Sequence, residues 1–154
     1  MNDSKPPMRV CILGQPGAGK TTLLYALAGL SGVSISEAED CFARRIHEQE
    51  AEVEGAKFFV YETGLLEVAD TSDFIIGVIA HPEALKDRCR MNSDRTGDPD
   101  RLILEGPQVD EITKRANFTL DTSGISINPK SPKYQIYKEH IRTMFGMMEG
   151  RYQQ

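Results

Sequence analysis

The first sustained apolar run of the chain, MRVCILG at 8–14, reads as a buried strand, and KTTLLYALAGL at 20–30 as a helix ended near Gly32. GVSIS, which follows, is a short strand or loop. Residues 37–53, EAEDCFARRIHEQEAEV, carry acids in the first turn and an apolar series at Cys41, Phe42, Ile46 and Val53. That spacing predicts a helix with a heavily charged outer face. AKFFVYE (56–62) is a strand, and DFIIGVIA (73–80) a clearer one, continuous rather than alternating, as expected when both faces are covered. Residues 82–91 read as a helix and 92–106, NSDRTGDPDRLILEG, as a mostly polar loop. A helix over 108–116, a last strand in NFTLDTS and a closing helix over 134–148 complete the pattern. YQIY and MFGMM at the two ends of that helix read as packing residues.

Strands alternating with helices imply a three-layer α/β fold, a parallel sheet of about five strands flanked by helices. At 154 residues the chain is long enough to bury a core as one domain, with a lid insertion over about 86–106 as the one candidate subdivision. No internal repeat or low-complexity tract is present.

Composition narrows the function. With 40% hydrophobic and 27% charged residues the chain is ordinary globular material, and its net charge of −5 makes it a poor polyanion binder as a whole. The basic segment 86–101 is interrupted by Asp87, Asp94, Asp98 and Asp100, which weakens a nucleic-acid reading. Cys11, Cys41 and Cys89 lie too far apart for a disulfide framework or a metal-ligand set, so a reducing, cytoplasmic setting is expected. No stretch approaches the ~20 apolar residues of a membrane span, so no membrane partner is expected. His47, His81 and His140 show no spacing for a metal or a triad.

The chemistry lies in GQPGAGKTT, 14–22. Gly14, four residues, then Gly19-Lys20-Thr21 match the phosphate-loop pattern G-x-x-x-x-G-K-[ST] in full, between a strand and a helix as the pattern requires. Gly14, Gly17 and Gly19 let the backbone take positive φ, so that amides from Gly14 through Ala18 to Thr22 approach an anion. The new helix adds free N–H groups and the positive end of its dipole. Lys20 is expected to bridge the β- and γ-phosphates of ATP, and the Thr21 hydroxyl to ligate Mg²⁺. The bland alternative, a glycine-rich turn entering a helix, rarely coincides with both pattern and context.

Three uses of such a loop compete. A GTPase switch needs Asp-x-x-Gly after the third strand and Asn-Lys-x-Asp for guanine; ETG at 62–64 is a glutamate and one residue short, and Asn-Lys-x-Asp is missing. A hydrolytic ATPase favours a strand ending in Asp-Glu, which is also missing. A small-molecule kinase needs an acidic group near a strand end and an arginine-bearing segment closing over the transferring phosphoryl. Glu62 at the end of FFVYE and Asp40 are the acidic candidates, to orient the metal or the acceptor. Arg88, Arg90 and Arg95 are the arginines that would neutralise charge and exclude water. Arg44 and Arg45 stand either on a solvated helix face or against an anionic acceptor.

RVCILGQPGAGKTTL, DFIIGVIAHPEALKDRCRMNSDR and KRANFTLDTSGI together resemble the P-loop small-molecule kinases, the nucleoside monophosphate kinases and dephospho-coenzyme A kinase. The resemblance covers most of the chain but is specific only in these patches. It implies an arginine-bearing helix leading into a lid, and a last strand whose following turn, Asp121, Thr122 and Ser123, lies against the nucleobase. ETGLLE, Gln108 and Lys114 are similar to dephospho-coenzyme A kinase, whereas LDTSGIS is more like cytidylate kinases. The chain departs from both where Gly64 replaces the proline of a Pro-Leu-Leu motif and where EAED offers Asp40 alone for an aspartate pair. The expectation is ATP- and Mg²⁺-dependent phosphotransfer to a small phosphorylated acceptor, with a nucleotide-binding switch lacking phosphotransfer as the alternative. Oligomeric state is left open.

Overall fold

A computed structural model describes residues 5–91, 98–125 and 128–154, and among them five strands and seven helices follow one another, with three helices in succession between the last two strands. The strands are β1 (Met8–Gly14), β2 (Val33–Ile35), β3 (Phe58–Thr63), β4 (Phe74–Ile79) and β5 (Phe118–Asp121). The helices are α1 (Lys20–Ala28), α2 (Cys41–Val53), α3 (Leu66–Ala69), α4 (Pro82–Met91), α5 (Pro99–Glu105), α6 (Val109–Arg115) and α7 (Tyr134–Tyr152). All four strand pairings are parallel, in the order β2-β3-β1-β4-β5. The expected three-layer fold with a five-stranded parallel sheet is therefore the one observed.

Central β1 is buried on both faces, which is why its sequence is apolar without alternation. Val10 and Ile12 join Phe58, Val60, Ile76 and Val78 on one face, under Leu23, Leu24 and Leu27 of α1 and Tyr137, Met144 and Met148 of α7. Cys11 and Leu13 join Phe59, Tyr61 and Ile75 on the other, under Ala51 of α2, Ala69 of α3 and Ile112 of α6. Met144 and Met148 of α7 are thus core residues, whereas Met147 is exposed. Connections run to opposite sides of β1, so the carboxyl edge beside it is the place where open α/β sheets bind ligands. Among the described residues no helix is long and apolar enough to cross a membrane.

Three expectations need correcting. Residues 99–105 form α5 rather than loop: Asp98 caps it by accepting from the Asp100 amide at 3.1 Å, with Pro99 in the first turn. Arg101 and Glu105 pair along it at 2.8 Å, and the Gln108 amide donates to the carbonyls of Ile103, Leu104 and Gly106 beyond its end. Secondly, α2 starts at Cys41, leaving Glu37 and Glu39 outside the helix and Asp40 as its N-cap. Thirdly, α2 is turned over. Arg44, His47 and Glu48 face the body of the protein, and Phe42, Ile46 and Val53 face solvent, 73%, 42% and 88% exposed. The inward positions are satisfied without an apolar stripe. Arg44 lies over the Tyr61 ring at 4.7 Å, His47 Nδ1 meets Ser36 Oγ at 2.7 Å, Glu48 pairs with Arg9, and only Ala51 is buried.

Candidate active site

The turn between β1 and α1 is held open by its glycines. Gly17 and Gly19 have φ of 84° and 104°, in the left-handed region that side chains rarely enter, and Gly19 is the N-cap of α1. Gly14 has a different reason to be glycine: a Cβ there would stand 2.6 Å from the Val78 carbonyl of the neighbouring strand. The first amides of α1, from Lys20 to Thr22, have no intrahelical acceptors, the arrangement that suits a helix start to an anion. The Lys20 ammonium donates to the Gly14 carbonyl at 2.8 Å, folded over the turn.

Thr21 and Glu62 meet across the sheet edge, the hydroxyl donating to Oε1 at 2.9 Å. Glu62 reaches this point because β3 lies beside β1 in a register that pairs Ile12 with Glu62. Its other oxygen, Oε2, is buried and has no hydrogen-bond partner among the described residues. A buried carboxylate oxygen left over beside a threonine hydroxyl is what a divalent cation held through oxygen ligands needs. Among the described residues no cluster of three or more His, Cys, Asp or Glu could hold a metal by itself. Mg²⁺ is ordinarily held by one or two protein groups plus substrate phosphates, and Thr21 and Glu62 fit that mode.

Lys20, Thr21 and Glu62 line one wall of a cavity of about 800 Å³. Glu37, Glu39, Arg44, Gly64 and Leu102 are also among its lining residues. Arg44 Nε is buried without a hydrogen-bond partner among the described residues, and Nη2 makes only a long contact, 3.4 Å, to the Glu39 carbonyl. Its guanidinium thus lies over Tyr61 with donor capacity in hand beside a cavity.

Arg88 reaches the phosphate loop from α4. It donates to the carbonyls of Gly17 (3.1 Å) and Ala18 (3.5 Å), and to both the hydroxyl (2.8 Å) and carbonyl (2.9 Å) of Thr122. The buried Thr122 hydroxyl in turn donates to the Ala18 carbonyl at 2.7 Å. One guanidinium thus ties the loop after β1 to the turn after β5. Asp121 and Ser123 flank this knot: Asp121 accepts from the Ser123 amide at 2.9 Å, and Ser123 Oγ from the His81 amide at 2.6 Å. Neither lines the large cavity.

The remaining sequence candidates stand apart. Asp40 does not line the cavity; its carboxylate accepts from the Ala43 amide at 3.2 Å as the helix cap. Arg90 pairs with Asp87 at 3.6 Å on the solvent side of α4. Arg95 lies outside the described residues. Sequence reasoning did not commit to Arg44 as a cavity residue, nor to Glu37 and Glu39. The signal for Arg44 was its place one turn into α2, but helical spacing alone does not say which face of that helix meets the body.

Neither a protein-family model nor a curated protein sequence matches the chain. Among solved structures, it is similar to the 1.7 Å crystal structure of shikimate kinase from Bacteroides thetaiotaomicron. The TM-score is 0.53 and the identity 20%, over 92% of this chain and 98% of that one. At this identity the likeness is one of fold, and the fold is that of a P-loop small-molecule kinase.

Proposed function

We propose that this protein is an ATP- and Mg²⁺-dependent small-molecule kinase that transfers the γ-phosphoryl group to a small anionic acceptor, probed first with nucleotides. The observation that carries the reading is the pairing within one cavity of a phosphate loop, with Lys20, Thr21 and Glu62, and a guanidinium, that of Arg44. A site that only stored or hydrolysed a nucleotide has no need of that second cation. The likeness of fold to a shikimate kinase supports the same class.

In this reading the amides of Gly17 to Thr22 and the Lys20 ammonium bind the phosphates, Lys20 leaving the Gly14 carbonyl to do so. Thr21 and Glu62 would hold the magnesium. When bound, the metal neutralises charge on the phosphate oxygens. Arg44 grips the anionic group of the acceptor through its unpaired Nε edge, which orients the acceptor's hydroxyl or phosphate oxygen toward the loop. Arg88 keeps the loop in its binding shape by holding the Gly17 and Ala18 carbonyls turned away from the anion. Since the phosphoryl transition state is loose, such positioning and charge stabilisation supply most of the catalysis. Asp121 and Ser123 are proposed to border the nucleobase. The chain is proposed to act as one domain; the lid expected over about 86–106 includes residues 92–97, which lie outside the described residues.

The test is phosphoryl transfer from labelled ATP to a panel of nucleoside monophosphates, dephospho-coenzyme A and shikimate. At least one acceptor is expected to be labelled, with Lys20→Ala lowering the rate by about 100-fold or more. An unlabelled panel combined with GTP-selective binding would replace the kinase with a nucleotide switch.

A further inference from the structure

Helix α2 offers solvent a seam rather than scattered apolar residues. Phe42, Ile46, Gln49 and Val53 are spaced four, three and four apart, the a/d spacing of a two-stranded coiled coil, and all four are exposed. Along 13 residues, about 20 Å of helix, the opposite face is already committed: Arg44, His47, Glu48 and Ala51 all point into the protein. The exposed stripe is therefore surplus to this chain's own fold.

The charges of the same helix identify what covers it. Of the charges left exposed on α2, Arg45 stands near its N-terminus, whereas Glu50 and Glu52 lie in its C-terminal half. This order is unfavourable within one helix, whose N-terminal end prefers acids and whose C-terminal end prefers bases. An identical helix lying antiparallel places Arg45 of each beside Glu52 of the other and opposes the two dipoles. A parallel partner would set acids against acids. We infer that two copies of this chain associate through α2 in an antiparallel, two-fold contact, with Phe42 of each packing near Val53 of the other and Arg45 of each facing Glu52 of the other.

The pairing is isologous, since one self-complementary patch serves both subunits. Anionic membrane is a poor competitor for the same stripe, because the exposed acids around it and the net charge of −5 repel such a surface. One helix pair buries less than the roughly 1,200–2,000 Å² of a stable interface, so the dimer is expected to dissociate in the micromolar range. The contact would also steady the helix that carries Arg44 to the cavity wall. The inference itself stands on α2 alone and is independent of the reaction proposed above.

Sedimentation equilibrium of the full chain, from about 5 to about 500 μM, reads the association directly. Wild type is expected to shift from monomer to dimer across that range, and Phe42→Glu or Val53→Glu to weaken the dimer by about 10-fold or more. Both positions are exposed, so circular dichroism and thermal midpoint should stay unchanged and exclude misfolding. Arg45→Glu and Glu52→Arg are each expected to weaken the dimer, and the two together to restore it. A wild type that stays monomeric throughout, with or without another protein bound, overturns the inference. So does a dimer that Phe42→Glu leaves unchanged, or a charge-swapped pair that fails to re-associate.

Discussion

The Thr21 hydroxyl donates to one oxygen of Glu62 at 2.9 Å while the other oxygen of that carboxylate stays buried without a donor. The two residues are 41 positions apart, on the first turn of α1 and the end of β3. Neighbouring parallel strands bring them together, and the half-satisfied carboxylate between them is the feature most in need of an occupant.

If that occupant is magnesium, Glu62→Gln removes charge but keeps size and one carbonyl oxygen. Metal-free nucleotide affinity is expected to hold, and the gain in affinity on adding Mg²⁺ to shrink by about 10-fold or more. Isothermal titration with and without Mg²⁺ separates the two quantities. An unchanged Mg²⁺ gain would place the metal elsewhere.

Arg88 is expected to matter for stability as well as for binding. Arg88→Ala leaves the Gly17 and Thr122 carbonyls short of donors at the junction of two loops, and about 2–4 kcal/mol of stability should be lost. Arg88→Lys should recover less than half, because a single ammonium does not reproduce the fork that serves both atoms of Thr122. Urea denaturation of the three proteins checks the order.

Gly77 tests the packing of α6 on the sheet away from the cavity. A Cβ at this position would lie 2.7 Å from Ile112 Cγ2 and 2.9 Å from Ala116 Cβ, so helix and strand touch at their closest here. Gly77→Ala is expected to lower stability by about 1–3 kcal/mol, with nucleotide affinity retained at temperatures where the protein stays folded.

Alkaline pH should destabilise the protein through its buried thiol and phenols. Burial pushes the Cys11 thiol up from 9.0 to about 12 and the Tyr61 and Tyr137 phenols up from 10.0 to about 12. Between pH 9 and 12 the unfolded chain has released these protons and the folded one has kept them. The folded state then binds more protons, so stability is fully present below pH 9 and falls as pH rises through that window. By pH 11 the loss should be on the order of 4 kcal/mol, visible as a falling urea midpoint. A midpoint constant from pH 8.5 to 11 would contradict it.

Much of the fold was legible because its signals are local. β1 and β4 are continuous apolar runs, α1 begins where Gly19-Lys20 ends the glycine pattern, and α4 spans the predicted 82–91. Helix α5 was missed although Asp98-Pro99 is a helix-start signal, because its polar surroundings read as loop. The four-residue α3 was too short to leave a periodic trace. For the site, the phosphate loop could be read from spacing, as could the acid at the end of β3. Arg88 was marked for the lid, and its attachment to residues 34 and about 70 positions away left no mark in its own neighbourhood.

By itself, then, the sequence determined the backbone: which segments are strands, and where glycines open a turn into a helix start. Those outcomes depend on φ, ψ and hydrogen bonds among residues within a few positions of each other. The tertiary structure decided which way each amphipathic surface turns. α2 has a charged side and an apolar side whichever way it lies, and its orientation was settled by Tyr61, Ser36 and Arg9, which offered partners to Arg44, His47 and Glu48. Those partners come from other strands and loops, so no window on the helix could show that its polar side would be the one turned inward.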